Sequence, residues 1–207
     1  MKKITTIIIA LFVVFAASAQ NPQLEGAVSK LNSARTAADY QDLANTFQRL
    51  ASADAKSWLP PYYAAVANMK LAFLQKDKAM ALSALAEEQI AKAEALVPAG
   101  NAKEMSEIYT VKSFIERSKV EADPMTNGRK FGPIAGKYLA QARKLDPQNP
   151  RALYLDGHIK FHTPALWGGD KDKAKALFTE ALRHFNEPPA SATAPQWGKT
   201  ECQQMLQ

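Results

Sequence analysis

Apolar positions in this chain recur at steps of three and four. From 174 to 185 they are Ala174, Leu177, Phe178, Ala181, Leu182 and Phe185, one stripe along a helix. Leu24, Val28 and Leu31 mark a first helix, and Tyr40, Leu43, Phe47 and Leu50 a second with Asp39 as its N-cap. The next opens at Pro60-Pro61, where prolines of a first turn break no hydrogen bond. The polar turn Gln75–Lys78 separates it from a helix carrying Leu82, Leu85, Ala86, Ile90, Ala93 and Leu96. Met105, Ile108, Val111 and Ile115 mark another. Pro124, Asn127-Gly128 and Gly132-Pro133 predict a loop over Asp123–Pro133. A helix ending at Leu145, two more flanking Thr163–Asp170, an extended Pro188–Pro195 and a last helix after Trp197-Gly198 complete the chain. No useful stretch alternates as a strand does, so the pattern predicts an all-α fold of eight or nine paired helices.

The order of small and large residues within two of these pairs is similar to the tetratricopeptide repeat (TPR). Gly157 matches the small residue of the first helix, and Ala174, Phe178 and Ala181 match the triplet of the second. One unit earlier Ala135, Leu139 and Ala142 repeat that spacing, closed by Pro147. Asp156 departs from the usual Leu, and about five extra residues separate the helices of the last unit. The resemblance implies a TPR-like array of helical hairpins, an α-solenoid closed by a C-terminal capping helix. The chain also resembles a group of exported bacterial TPR-like proteins, through Trp58-Leu59-Pro60, Leu145-Asp146-Pro147, Asn149-Pro150, Thr163-Pro164, Gly168-Gly169 and Trp197-Gly198-Lys199. That group brings no activity to transfer.

Projected on a helix, residues 149–161 have two apolar faces, one with Leu153, Tyr154, Gly157 and Phe161, the other with Ala152, Leu155 and Ile159. Polar stripes run between them. Asp156 and Lys160 form one, as an i,i+4 pair; Arg151, His158 and His162 form the other. In TPR arrays the first helices line the concave groove, so the resemblance assigns Arg151, Tyr154, His158, Phe161 and His162 to a ligand or peptide groove. They are not the residues of a carboxylate clamp. Arg129 and Phe131, on the expected Asp123–Pro133 loop, are expected to join them at a shared rim with Thr163–Asp170. The alternative for that loop is a solvated charged segment. Imidazoles titrate near pH 6.5, so anion binding there is expected to weaken above that pH. His158 and His162 are also spaced to share a metal, but a zinc site needs further ligands and Ile159 stands where a zinc protease has Glu.

Residues 1–19 have Lys2 and Lys3, an apolar run from Ile4 to Ala17 and the small-x-small pattern Ala17-Ser18-Ala19. They predict a signal peptide cleaved after Ala19 and a periplasmic or secreted protein, with 20–207 a single domain and no integral membrane segment after cleavage. The alternative, a membrane anchor, fits less well because the run is short for a span. The 207 residues carry a net charge of +6, and +4 without Lys2 and Lys3. The cations are dispersed, which excludes a nucleic-acid footprint. Cys202 is the sole cysteine, so no internal disulfide forms. It reads as a small buried hydrophobe, with pairing to another molecule as the alternative. No nucleophile–base set, close carboxylate pair or phosphate-binding loop is present, so no enzyme and no cofactor are expected. The expected role is binding or scaffolding of a protein or peptide partner in the cell envelope. An accessory subunit of a transporter or envelope complex is the alternative, and a metal-binding protein using His158 and His162 a further one.

Overall fold

The computed structural model describes residues 22–207, so the signal-peptide reading and its cleavage point lie outside the described residues. Among the described residues there are nine α-helices and no strand. They are α1 (Pro22–Ser33), α2 (Ala37–Ala53), α3 (Leu59–Leu74), α4 (Ala79–Leu96), α5 (Ala102–Ala122), α6 (Pro124–Leu145), α7 (Pro150–His162), α8 (Lys171–Phe185) and α9 (Lys199–Gln204). Short 3-10 turns at Lys76–Lys78 and Ala165–Trp167 join α3 to α4 and α7 to α8. None of these helices is long and apolar enough to cross a membrane.

The second helix starts one turn before its apolar stripe. Thr36, not Asp39, is its N-cap; Thr36 Oγ1 accepts from the Asp39 amide at 3.1 Å and Asp39 accepts from the Thr36 amide at 2.9 Å. That reciprocal pair is a capping box. A larger departure concerns Asp123–Pro133, which is not a loop but the first three turns of α6. Asp123 caps it through the Thr126 amide at 3.2 Å, and Pro124 sits where a missing N–H matters least. Asn127 Nδ2 donates to the Lys119 carbonyl at 2.8 Å and ties the new helix to the old. Phe131 is buried, with the Lys119 and Lys130 ammonium groups 4.7 and 4.9 Å from its ring. Asp-Pro opens helices as readily as turns, and the buried phenyl ring decides between them.

Successive helices pack as four hairpins, α1/α2 to α7/α8, with α9 closing the last against α8. The first helices α3, α5 and α7 lie side by side. Near their N-termini Tyr62, Glu107, Asn149 and Arg151 are hydrogen-bonded to one another. Towards their C-termini Phe73 meets Phe114, and Glu121 approaches His158. The corners after α3, α5 and α7 therefore share one end of the array. α3 is the central helix, with Tyr62, Tyr63, Ala64, Ala65, Val66 and Ala67 all fully buried.

The small residues set the helix spacing. A Cβ on Gly157 would lie 2.6 Å from Phe178 Cε1 and 3.1 Å from the Ala174 carbonyl oxygen, so α7 and α8 touch only because this residue is glycine. Ala174, Phe178 and Ala181, and one hairpin earlier Ala135, Leu139 and Ala142, are buried. Gly169 lets the α7/α8 corner fold back on itself, since a Cβ there would overlap the Thr163 carbonyl at 1.7 Å. Cys202 is buried on α9 against the Phe178 carbonyl at 3.5 Å, and burial pushes its thiol up to about 12, so it stays protonated and unreactive.

Candidate functional site

The face built by α3, α5 and α7 has two halves with different fates. Over the N-terminal half lies the chain's own C-terminal segment. Pro188 to Pro195 runs without regular structure across the array, held where Tyr63 Oη donates to the Thr193 carbonyl at 2.9 Å. Trp197 then inserts its ring. Its Nε1 donates to Tyr62 Oη at 2.9 Å, and Tyr62 donates to Glu107 Oε2 at 2.7 Å. Arg151 Nε and Nη2 grip the same carboxylate at 2.7 Å each, and Asn149 Nδ2 adds a bond at 2.8 Å. Glu107 thus accepts four hydrogen bonds, with its side chain only 9% exposed. Beside it the phenols of Tyr62 and Tyr63 are pushed upward, chiefly by burial. Burial by itself would lower the Arg151 pKa, but the carboxylate of Glu107 raises it, so the guanidinium stays charged.

Arg151 and Tyr154, expected to line a groove, are therefore walled in: each is 7% exposed. Tyr154 packs among Phe114, Phe178 and the α9 side chains, and burial raises its phenol pKa. A cleft of about 910 Å³ runs under the Pro188–Pro195 strap. Its inner wall holds Glu107 and Arg151, which already satisfy each other, and it does not reach the α7 imidazoles.

The C-terminal half of the face is only partly covered: Phe114 and Tyr154 are buried, whereas Phe73 keeps part of its ring exposed. Rings step across it from helix to helix: Phe73 to Phe114 at 6.3 Å, Phe114 to Tyr154 at 5.9 Å and Tyr154 to His158 at 6.0 Å. His158 and His162 follow at 4.4 Å, and Phe161 lies 5.1 Å from His162. His162 is exposed, and His158 and Phe161 are half-buried. Lys70, on α3 and paired with Glu201, and Arg117, on α5, add positive potential at His158. Glu121 Oε1 stands between, 3.5 Å from Arg117 Nη2 and 3.8 Å from His158 Nδ1. Of the expected groove, the structure brings together His158, Phe161 and His162. Arg129 is exposed on α6 and Phe131 is buried, so the two do not form a rim loop. Sequence reasoning missed Arg117, Glu121, Phe73 and Phe114, which come from other helices.

Burial, the neighbouring His162 and the cations Arg117 and Lys70 lower the His158 pKa to about 3. The Glu121 carboxylate, 3.8 Å from Nδ1, lies outside hydrogen-bond range. His158 is thus neutral across physiological pH and is no anion-binding imidazolium. In the unfolded chain the same ring protonates near 6.5, so between about 3 and 6.5 the unfolded state holds the extra proton. Its contribution to stability is complete above the unfolded value and drains away as pH falls towards the folded one. From about pH 7.5 to about pH 5 the protein should lose roughly 2 kcal/mol more than a His158→Gln variant does, measured by urea unfolding. Equal losses in the two would show that His158 is protonated in the folded protein.

His184 does not complete a metal set with His158 and His162. Its Nδ1 donates to Glu187 at 2.9 Å and its Nε2 accepts from Arg183 at 3.0 Å. Among the described residues no three His, Cys, Asp or Glu side chains are placed to hold a metal ion.

No family model matches this chain, and no curated protein sequence compared with it matches. Among solved structures the chain is similar to the HusA haemophore from Porphyromonas gingivalis, with 29% sequence identity and a TM-score of 0.81. The likeness covers 92% of this chain and 92% of that one.

Proposed function

We propose that this chain is an exported haem-binding protein, a carrier with no catalysis of its own. The observation that carries the reading is its 29% identity to a haemophore over 92% of both chains. Haem is a flat apolar ring edged by carboxylates around an iron, and the C-terminal half of the face built by α3, α5 and α7 has the matching chemistry. Phe73 and Phe161 offer partly exposed rings, and His158 and His162 are groups able to ligate iron. His158 is in the neutral form that ligation requires. The targeting segment read at residues 1–19 supports export to where free haem is met.

The test is titration of residues 20–207 with haemin, followed by the visible absorption of the porphyrin and by tryptophan fluorescence. A saturable spectral shift is expected. A spectrum that remains the sum of its parts at every ratio would dismiss the reading. A peptide or protein scaffold is the second reading. It rests on the hairpin array, and the C-terminal segment lying along half of the α3, α5 and α7 face counts against a long extended peptide there.

A further inference from the structure

We infer that Arg117 is the anchor for a carboxylate of the bound ligand, set at the open rim beside His158; the inference rests on the haem-binding reading. Guanidinium carries five N–H donors. Among the described residues Arg117 makes a single hydrogen bond, from Nη2 to Glu121 at 3.5 Å, the outer limit for such a bond. Its Nε is buried with no partner at all. Arg151 shows how this fold satisfies a buried arginine it uses for structure, with two bonds of 2.7 Å to one carboxylate. Arg117, its side chain 13% exposed against 9% for Arg151, has only the outlying Glu121 carboxylate at 3.5 Å. Buried donors are rarely left so, and the missing partner is an acceptor.

The surroundings specify what acceptor fits. Lys70 adds a second cation, and the acids nearby are already engaged, Glu201 by Lys70 and Glu121 by Arg117 itself. Phe73, whose ring is partly exposed, packs on Phe114, one turn before Arg117 on α5. An anion attached to a flat apolar body meets both needs at once, and a carboxylate is the group that matches a guanidinium edge with paired bonds. A ligand carboxylate that takes Arg117 displaces Glu121. That leaves Glu121 for His158 Nδ1, 3.8 Å away, the second partner that orients a metal-binding imidazole.

Three probes decide the matter: haemin, metal-free protoporphyrin IX and protoporphyrin IX dimethyl ester, whose carboxylates are blocked. Each is titrated against the unaltered protein, Arg117→Gln and Arg117→Lys, with circular dichroism confirming that the variants fold. The free acids should bind the unaltered protein about tenfold tighter than the ester. Arg117→Gln should remove that preference by weakening the acids alone, and Arg117→Lys should restore part of it. Equal binding of acid and ester to the unaltered protein, or an equal loss of both in Arg117→Gln, overturns the anchor while leaving haem binding intact. Failure of every probe to bind overturns both.

Discussion

Replacing Glu107 by Gln should destabilise the protein by about 4 kcal/mol, because it strands the buried Arg151 charge. Four donors converge on this carboxylate from α3 and α7, and both partners of the ion pair have side chains only 9% exposed. The amide keeps the shape but turns two of its own N–H groups towards donors that need an acceptor. The midpoint of thermal unfolding should fall by about 12 °C for a domain of this size. The double variant Glu107→Gln/Arg151→Met should lose less than the single one, since no unpaired charge remains. A single variant within about 1 kcal/mol of the unaltered protein would show that water reaches the network. The pair also joins α3, α5 and α7 at one end, so it holds the three first helices in the register that lets Phe73, Phe114 and His158 meet at the other.

Trp197→Ala is the second large effect, a loss of about 4 kcal/mol. The ring is 3% exposed, lies edge-on to Phe114 at 5.6 Å, is flanked by Lys70 and Arg151, and hydrogen-bonds Tyr62. Its consequence should be local as well as global. The strap from Pro188 to Pro195 has no helix of its own, so without this anchor it retains chiefly the Tyr63 bond to Thr193. Trypsin should then cut after Lys199 much faster than in the unaltered protein, while helical circular dichroism at low temperature persists. Undiminished protection of Lys199 would show that α9, through Cys202 and the Lys70–Glu201 pair, holds the segment without the ring.

The helices themselves were legible from local pattern. Periodicity placed Tyr40 to Leu50, Leu82 to Ala93 and Ala174 to Phe185 on helices, with Leu82, Ala86, Ile90 and Ala93 buried but Leu85 of the same stripe exposed. Repeat spacing picked out Gly157 and Phe178 as the small and large positions of one helix pair, and the structure packs the two against each other. Both inferences concern residues within one hairpin, where helical geometry fixes who meets whom. Asp123–Pro133 shows the limit of local signals, since Pro and Gly there are compatible with turn or helix and burial of Phe131 chose helix.

The candidate site was legible only along α7. A helical projection puts Arg151, Tyr154, His158 and His162 on adjoining parts of one side, but it cannot say what covers that side. Tertiary structure decided that Trp197, more than forty residues further on, closes over Arg151, while the last turn of α7 stays open. Likewise Arg117 has no motif around it; its meaning comes from an unpartnered Nε and from neighbours on α3 and α7. Charge and titration followed the same division. The sequence shows imidazoles near their ordinary pKa of 6.5, whereas desolvation between packed helices takes His158 to about 3. Periodicity along one helix is a property of the chain, but burial of a given face depends on which distant segment arrives to cover it.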